Sequence, residues 1–318
     1  MSAAKSPSIL VIKLGALGDM VQALGPFAAI RRHHPDARIV LLTTRAYAAF
    51  AGASGYFDEV WTDTRPRWND LGGWLALRRR LRKGRFGRVY DLQTSDRSSS
   101  YFRLFWPGPY PEWSGIARGC SHPHANPERD RMHTVDRQAE QLRMAGIGEV
   151  AAPSLDWVSA DTARFGLSGR YALLAPGGAA HRPEKRWPAE RYGELANWLA
   201  RNGMTPVLLG TEAEAGVLAT VMEICPEAVS LAGRTDFLDI AALARGAASA
   251  VGNDTGPMHL IAVAGAPTVV LFSHASDPAL CAPRGPRVAV LRRPSLAELE
   301  TAEVEKAVGA VVQEGGTS

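Results

Sequence analysis

A carboxylate at the end of a glycine-containing loop is the first feature that could do chemistry. In the stretch VIKLGALGDM, residues 11–20, an apolar run leads into Gly15 and Gly18, and Asp19 follows at once. Glycines at such a point usually let backbone N–H groups approach a phosphate, but a carboxylate there repels an anion. Asp19 therefore suits a helix cap, and the loop leaves open what other role a carboxylate has there.

A second loop, APGGAAHRPEKRWP at residues 175–188, has the opposite charge. Two glycines follow an apolar run, and the cationic or titratable side chains after them are His181, Arg182, Lys185 and Arg186. Glycines with clustered cations suit an anionic ligand, and a lysine ammonium can act as a point charge on a phosphate. The alternative is a solvated basic loop that leads into the next helix.

The third loop, GNDTGPMHL at residues 252–260, joins an apolar run to a helical pattern. Asp254 and Thr255 are residue types that cap helices, and Gly256 permits close approach of a backbone. A helix start of this kind can offer amides and the positive end of its dipole to a diphosphate. It can equally be a well-capped helix and no more, in which His259 is a core or capping residue.

Other familiar site motifs do not occur in the sequence. It contains no GxGxxG after a strand and no GxxxxGK[ST], so the usual dinucleotide-binding and P-loop fingerprints are missing. It also contains no HExxH, no GxSxG and no pair of aspartates spaced as DxD. An enzyme that handles a nucleotide diphosphate without a metal must use cations and helix ends, which the two C-terminal loops supply.

Composition places the chain among globular proteins that stay in the cytosol. Its 318 residues suffice for two domains, with 46% hydrophobic and 21% charged residues. Three widely spaced cysteines fit a reducing compartment, and the polar start MSAAKSPS predicts no signal peptide. The longest apolar stretch, 259–272, is broken by Gly265 and Pro267 and is too short to span a bilayer.

The net charge of +4 is compatible with anionic ligands or with a membrane surface, and it requires neither. We expect no nucleic-acid partner. Trp74, Trp106 and the neighbouring arginines are compatible with a peripheral membrane contact from the cytosolic side.

Alternating elements must position the three loops. Short apolar runs alternate with amphipathic stretches, and this βαβ pattern predicts a parallel sheet covered by helices. The pattern breaks at about 102–127, and a loose segment at about 149–169 is the candidate linker. The predicted strands are 9–14, 38–44, 58–63, 88–93, 171–177, 205–210, 228–231, 248–254, 267–272 and 287–293. The predicted helices are 20–33, 71–83, 133–146, 189–202, 212–224, 236–245, 257–264 and 295–313.

Two such blocks in succession predict an α/β protein with two Rossmann-like domains that face each other across a cleft. In folds of this kind ligands bind outside the carboxyl ends of the strands. All three loops follow predicted strands, so each lies where a ligand is expected.

Together the motifs closely resemble the bacterial heptosyltransferase family, glycosyltransferase family 9. The resemblance rests on VIKLGALGDMVQALG, LLAPGGAAHRPEKRWPAERY and GNDTGPMHLIAVAGAPTVVLF, which occur in the family's order and span nearly the whole chain. FGRVYDLQ (86–93) and HTVDRQ (133–138) resemble the family's secondary motifs.

This resemblance implies a GT-B fold. Residues 1–155 would form the N-terminal acceptor-binding domain and residues 170–318 the C-terminal nucleotide-sugar-binding domain, with a last helix that can pack back on the first. It also implies an inverting transfer of L-glycero-D-manno-heptose from ADP-heptose to a glycolipid acceptor, the lipopolysaccharide core. The family works at the cytoplasmic face of the inner membrane, and neither a cofactor nor a metal is implied.

The resemblance assigns roles to individual residues. Asp19 corresponds to the general base, with Gly15 and Gly18 in the acceptor loop, and Lys185 to the cation that meets the donor diphosphate. Glu214 corresponds to an acidic residue that holds the ribose, with Glu212 as a competing assignment. The helix-start motif of the donor site comprises Asp254, Thr255, Gly256 and His259.

The chain departs from the family at two places. Many members carry two hydroxyl residues where this sequence has the run GGAA at 177–180, which leaves backbone amides and Lys185 to contact phosphate. The basic acceptor-binding residues cannot be matched one by one. The candidates are Arg65, Arg67, Arg97 and the run RRRLRKGR (78–85), whose alternative role is the solvated end of a helix.

Three other functions stay open on the sequence. The chain could be a GT-B transferase with a different nucleotide sugar, or with a protein or capsular acceptor. It could also be a nucleotide-sugar epimerase of similar architecture. The third alternative is a binding protein that has lost catalysis, against which the retained Asp19, Lys185 and DTGPMH motif speak.

Overall fold

The computed structural model describes residues 8–179 and 181–313 of the chain. The polar N-terminal start and Ala180 of the basic loop therefore lie outside the described residues. The chain divides into two compact units, Met1–Pro153 and Ser154–Ser318.

The N-terminal unit is built on a six-stranded, fully parallel sheet in the order β3-β2-β1-β4-β5-β6. Its strands are β1 (Ser8–Ile12), β2 (Arg38–Thr43), β3 (Glu59–Thr62), β4 (Arg88–Asp91), β5 (Glu112–Gly115) and β6 (His122–Pro123). Its helices are α1 (Leu17–Gln22), α2 (Leu24–His33), α3 (Arg45–Ala53), α4 (Leu71–Lys83), α5 (Asp96–Tyr101) and α6 (Thr134–Met144).

Burial explains why the inner strands are apolar at almost every position. In β1, Ile9, Leu10, Val11 and Ile12 are at most 1% exposed, because helices cover both faces of a parallel sheet. These four residues are paired on both sides; Ile9, for example, lies opposite Ile39 of β2 and Arg88 of β4. The sheet therefore holds the carboxyl end of β1, and the Asp19 loop behind it, in a fixed place.

The first helix begins earlier than its apolar periodicity predicts. Ala16 is the extended N-cap residue of α1, and its backbone N–H is bonded by the Asp19 carboxylate three residues later. This local bond lets the helix begin at Leu17 rather than near residue 20. A second helix, α2, then follows at Leu24.

The segment at 102–127 holds structure that its composition conceals. Strands β5 and β6 add to the edge of the sheet beyond β4. Strand β5 has four residues and follows Pro111, and β6 has two residues and includes Pro123, so the strand pattern is too short to stand out.

The C-terminal unit repeats the architecture with the order β12-β11-β10-β7-β8-β9, again all parallel. Its strands are β7 (Tyr171–Ala175), β8 (Thr205–Leu208), β9 (Val229–Ser230), β10 (Ser249–Asn253), β11 (Thr268–Phe272) and β12 (Val288–Arg292). Its helices are α7 (Ala189–Arg201), α8 (Ala215–Ile224), α9 (Phe237–Gly246), α10 (Gly256–Val263), α11 (Pro278–Cys281) and α12 (Thr301–Gln313).

The segment before β7 is fastened to this unit rather than being a free linker. Arg245 of α9 donates to the carbonyls of Leu155 and Val158, and Arg164 forms an ion pair with the buried Asp239. The unit consequently begins at Ser154 rather than at residue 170.

The last helix, α12, packs on α7 and on strands β10 to β12. Val304, Val308 and Val311 bury its apolar face in the core of the C-terminal unit. Among the helices at residues 8–179 and 181–313, none is long and apolar enough to cross a membrane.

Candidate active site

The Asp19 carboxylate is held at both oxygens but stays open to solvent. Its Oδ2 accepts a hydrogen bond from the Ala16 backbone N–H at 3.1 Å, and its Oδ1 lies 3.6 Å from Nζ of Lys13. The Asp19 side chain is nevertheless 39% exposed. The two roles considered for Asp19 therefore coexist in geometry, because a carboxylate that caps α1 still presents itself to a substrate.

A buried lysine lies behind this carboxylate. Lys13 is 2% exposed and donates from Nζ to the carbonyl of Leu92 at 3.2 Å. Burial lowers the pKa of Lys13, and the neighbouring Asp19 carboxylate opposes that shift by favouring the charged ammonium. Arg137 of the HTVDRQ motif also interacts electrostatically with Asp19, so two cations are placed around a single exposed carboxylate.

A second carboxyl group, Asp91 at the end of β4, is fully buried in the same region. Its Oδ1 accepts the backbone N–H groups of Gln93 and Thr94, both at 3.1 Å. Burial raises the pKa of Asp91 to about 6, although these bonds and the charge of Lys13 act in the opposite direction. Neither Lys13 nor Asp91 is marked by the sequence, since both sit at strand ends within apolar runs.

Gly15 is required by its surroundings as well as by its backbone. Its φ is +121°, a conformation that favours glycine. A Cβ at this position would lie 2.4 Å from Cε2 of Tyr47, so the tyrosine ring packs directly on the loop. Gly18 is buried inside α1. The two glycines therefore shape the loop around Asp19.

A hollow of about 540 Å³ opens beside this loop. Two of the sequence candidates for acceptor binding, Arg65 and Arg97, line it together with Gly15, Tyr47 and Gln93. Arg65 has a φ of +48°, and its backbone N–H is bonded by Asp63 at 2.8 Å, which fixes where its side chain starts. The hollow thus offers two guanidinium groups to an anionic or hydroxyl-rich ligand.

The other basic candidates serve the fold or face solvent. Arg78 and Arg82 of α4 donate to the carbonyls of Trp106 and Phe105, both at 2.6 Å, which fastens the segment after α5 to α4. Arg80 donates to the Thr62 carbonyl at 3.1 Å. By contrast, Arg67 is exposed. Three of the six cations in the basic run, Arg78, Arg80 and Arg82, therefore donate hydrogen bonds to backbone carbonyls.

In the C-terminal unit the predicted phosphate cation is paired with the helix-start aspartate. Nζ of Lys185 lies 2.7 Å from Oδ2 of Asp254, and the two side chains are 16% and 9% exposed. Strands β7 and β10 are neighbours in the sheet, so the loops that follow them meet at the same edge. Two motifs that are 69 residues apart in the sequence therefore form one group.

Helix α10 begins without a side-chain cap. Thr255 is its N-cap residue in extended conformation, yet its hydroxyl donates back to the Asn253 carbonyl at 3.2 Å. Gly256 is the first residue of the helix, and His259 lies buried one turn further on. An uncapped helix start is the form that can accept an anionic ligand at its amides.

Asn253 organises this edge and was missed by the sequence interpretation. Its amide donates to the carbonyls of Pro176 and Gly177, and its oxygen accepts the Trp187 backbone N–H and the Tyr192 hydroxyl. These four hydrogen bonds satisfy a side chain that is fully buried. An asparagine directly before a candidate ligand motif is the only hint that the sequence gives.

Glu214 ties the glycine loop to the next helix. Its Oε1 accepts the Gly178 backbone N–H at 2.8 Å, and its Oε2 accepts that of Thr211 at 2.8 Å. A Cβ on Gly177 would lie 1.7 Å from Oε1, so glycine is needed for this approach. Glu212 is exposed two residues earlier. Glu214 thus lies beside the glycine-containing basic loop, and Glu212 faces solvent.

Residues 8–179 and 181–313 contain no group of three or more His, Cys, Asp or Glu side chains that could hold a metal ion. Each unit carries one ion pair among the candidate site residues: Lys13–Asp19 in the N-terminal unit and Lys185–Asp254 in the C-terminal unit.

Comparison with known proteins identifies the fold and the family. The chain has the same fold as the family 9 glycosyltransferase from Veillonella parvula, with a TM-score of 0.81, 22% identity and 97% coverage of both chains. It also matches the structure of E. coli ADP-heptose LPS heptosyltransferase II, with a TM-score of 0.79, 22% identity and coverage of 98% and 100%. The predicted GT-B-type fold with two Rossmann-like units is therefore confirmed.

Sequence comparison leads to the same group. The lipopolysaccharide core heptosyltransferase OpsX of Haemophilus influenzae is 20% identical over 84% of this chain and 79% of its own length. The profile of glycosyltransferase family 9 (heptosyltransferase) matches residues 74–310. This range contains the whole basic loop, Asn253 and the start of α10. The chain belongs to glycosyltransferase family 9, the heptosyltransferase family, and it is a glycosyltransferase.

Proposed function

We propose that this enzyme transfers L-glycero-D-manno-heptose from ADP-heptose to a hydroxyl of a lipopolysaccharide core acceptor, with inversion at the anomeric carbon. The observation that carries the proposal is the state of Asp19, a carboxylate fixed by the Ala16 N–H and Lys13 yet 39% exposed. A base for a single displacement must be fixed and accessible at once, and Asp19 is both.

The reaction needs one base and a stabilised leaving group. The acceptor oxygen attacks the anomeric carbon as the bond to the diphosphate breaks, and its proton passes to the Asp19 carboxylate. Such proton transfer contributes ~10²–10⁴ in rate. No protein nucleophile takes part, because inversion results from one displacement. ADP leaves with the electron pair of the broken bond.

In this proposal the C-terminal unit binds the donor. Lys185 and the amides at the start of α10 would stabilise the charge that develops on the departing diphosphate. Asp254 supports this role because its 2.7 Å contact holds the ammonium in place before a ligand arrives. Glu214 remains our assignment for the ribose, with its two backbone bonds exchanged or shared on binding, and exposed Glu212 is the alternative.

In this proposal the acceptor binds in the hollow beside Gly15 of the N-terminal unit. Arg65 and Arg97 supply positive charge there, which suits the acidic sugars and phosphates of a lipopolysaccharide core. Gly15 and Gly18 shape the loop that brings Asp19 to the acceptor hydroxyl. We place the reaction at the cytoplasmic face of the inner membrane, where such a glycolipid is assembled, and we propose that it needs no metal.

The decisive experiment is Asp19→Asn, assayed with saturating ADP-heptose and a Kdo-containing lipid A acceptor. Asn retains the shape of the side chain and can still accept the Ala16 N–H, so α1 stays capped while the base is lost. We expect turnover to fall by ~10²–10⁴ with ADP affinity unchanged. Turnover within a few-fold of wild type would remove Asp19 from the base role.

The donor and acceptor are tested separately from the base. Thermal shifts with ADP, UDP and GDP should single out ADP, and a larger shift with another nucleotide would point to a different nucleotide sugar. Transfer to a protein or capsular acceptor but not to the lipid A acceptor would replace the lipopolysaccharide assignment. Isomerisation of the free nucleotide sugar would instead indicate an epimerase.

A further inference from the structure

The largest exposed apolar side chains are concentrated on one part of the N-terminal unit. Of the eight large hydrophobic residues that the described part of the chain leaves exposed, five lie within residues 68–110. We call these five the α4 surface; they are Trp68 (76% exposed), Leu71 (74%), Leu75 (58%), Trp106 (68%) and Tyr110 (44%).

Contacts join the α4 surface into one patch. The Trp68 ring stacks on Trp74 of α4 at 5.9 Å, and Trp68 and Phe102 line the same hollow of about 320 Å³. Phe102 in turn lies 4.9 Å from the Tyr110 ring. Arg78 of α4 bonds the Trp106 carbonyl, so the fifth member is tied to the same helix.

Charge separates this region from the rest of the molecule. Residues 65–110 contain eleven arginines and lysines but only three aspartates, which gives a net charge of +8. Because the whole chain has a net charge of +4, the remaining residues together carry −4. The excess of positive over negative charge is thus carried by residues 65–110, the part of the sequence that also exposes its apolar side chains.

Helix α4 presents both properties along one line. Leu71, Leu75, Arg79 and Lys83 follow one another at four-residue intervals, and all four are exposed. Residues four apart lie on the same face of a helix. The stripe is therefore apolar in its first half and cationic in its second, so leucines and cations share one exposed side of α4.

We propose that the α4 surface docks the enzyme on an anionic phospholipid bilayer. Tryptophan and tyrosine place amphipathic rings at the headgroup level, and leucines enter the acyl boundary. Each nearby Lys or Arg gains from the negative surface potential. A second protein copy would suit the apolar side chains equally well, but it would bring the same net positive charge against itself.

Docking in this way would also bring a glycolipid acceptor to the hollow beside Gly15. Asp96 lines both the hollow beside Trp68 and the hollow beside Gly15, so the two are neighbours. A glycolipid whose acyl chains stay in the bilayer would then offer its sugars to Arg65 and Arg97. This second consequence rests on the proposed function, whereas bilayer docking does not.

Vesicle co-sedimentation of the full chain, without donor or acceptor, tests the proposal. Vesicles of phosphatidylethanolamine with phosphatidylglycerol are compared with neutral phosphatidylcholine vesicles at low and high salt. We expect strong binding to the anionic vesicles only, and less of it in high salt because surface charges are then screened.

Two paired variants separate the contributions. Arg79→Gln with Lys83→Gln should weaken binding to anionic vesicles ~25-fold, about fivefold for each cation. Leu71→Gln with Leu75→Gln should weaken it tenfold or more. The matched controls are the exposed pair Arg201→Gln with Lys306→Gln and the exposed pair Met144→Gln with Met222→Gln; both should bind as wild type does.

Three results would overturn the proposal: equal binding to neutral and anionic vesicles, α4 variants that bind as well as wild type, or a wild-type dimer that Leu71→Gln with Leu75→Gln converts to monomer without any vesicle binding. Transfer to a delipidated, water-soluble acceptor is measured in parallel. Loss of docking with normal transfer leaves the proposed function intact, and failed transfer with normal docking leaves the α4 surface intact.

Discussion

Removing Lys185 gives the sharpest test of the proposal that the C-terminal unit binds the donor diphosphate through this ammonium. Its ammonium lies 2.7 Å from the Asp254 carboxylate, and the two side chains are 16% and 9% exposed. Lys185→Ala therefore has two effects: it deletes a cation, and it leaves a largely buried carboxylate without its partner. Both effects oppose the binding of ADP.

The structure allows the two effects to be sized. A hydrogen bond to a charged group contributes ~1.5–3 kcal/mol, so losing the diphosphate contact lowers ADP affinity about 10- to 150-fold. An unpaired carboxylate ~5 Å from a unit negative charge adds ~3 kcal/mol of repulsion at an effective dielectric constant of ~20. We therefore expect Lys185→Ala to lose more than ~100-fold, and the double variant with Asp254→Asn to regain ~10-fold or more.

Titration calorimetry of ADP binding measures this difference directly. The four proteins are wild type, Lys185→Ala, the double variant with Asp254→Asn, and Lys306→Ala as a control. Lys306 is an exposed lysine of α12 in the same unit, so its loss changes the net charge equally without touching the donor group. Without ADP, Lys185→Ala should also unfold at a lower temperature than the double variant, because it alone leaves a buried charge unpaired.

Two outcomes would refute this reasoning. ADP affinity of Lys185→Ala within threefold of wild type would mean that the ammonium does not contact the diphosphate. Equal affinities of the single and the double variant would mean that the Asp254 carboxylate does not face the bound nucleotide. The second result would move Asp254 to a purely structural role.

Two further predictions concern the N-terminal unit. Burial raises the pKa of Asp91 to about 6, so the native protein holds this proton at pH values where the unfolded chain has lost it, and the contribution of Asp91 to stability falls as pH rises from about 4 to 6. The stability of Asp91→Asn relative to wild type should thus improve by ~1 kcal/mol between pH 5 and pH 7 in denaturant titrations, and a pH-independent difference would contradict the assignment. Gly15→Ala places a Cβ 2.4 Å from the Tyr47 ring at a φ of +121°, which should lower turnover ~10-fold or more while ADP affinity stays unchanged. Gly87→Ala, which meets no atom within 4 Å, should retain both, and normal turnover of Gly15→Ala would show that the loop geometry is dispensable.

Local pattern was enough to predict most of the regular elements. The spacing of Leu71, Trp74, Leu75, Leu77 and Leu81 predicts a helix at residues 71–83, which are the bounds of α4 in the structure. Of these residues, Leu77 and Leu81 are buried, whereas Leu71 and Leu75 are exposed. Where the stripe of apolar residues is long, as here, burial of one face decides the fold of the segment. Strands β5 and β6 were missed because four and two residues carry too little pattern.

The site was predicted only as far as its loops. Asp19 stands out as a carboxylate in a glycine loop, Lys185 as one of several cations after two glycines, and Asp254 as a capping residue at a helix start. Lys13 and Asn253 were not, because their roles depend on partners that are 79 residues away for Lys13 and 61 to 77 residues away for Asn253. Such partners become neighbours only when β1 pairs with β4, or β10 with β7. The pairing of Lys185 with Asp254 was likewise not visible in either motif alone.

The separation of charge has a practical consequence for handling this enzyme. A sequence pI of about 9.1 suggests a protein that binds cation exchangers and passes through anion exchangers. Residues 65–110 carry +8, however, and the other residues carry −4, so each kind of resin meets a region of opposite sign. We expect retention on both resins at neutral pH. The salt concentration that elutes the protein from the cation exchanger should depend on residues 65–110 rather than on the net charge of the whole chain. Chromatography can therefore report which face of the molecule has been altered in a variant.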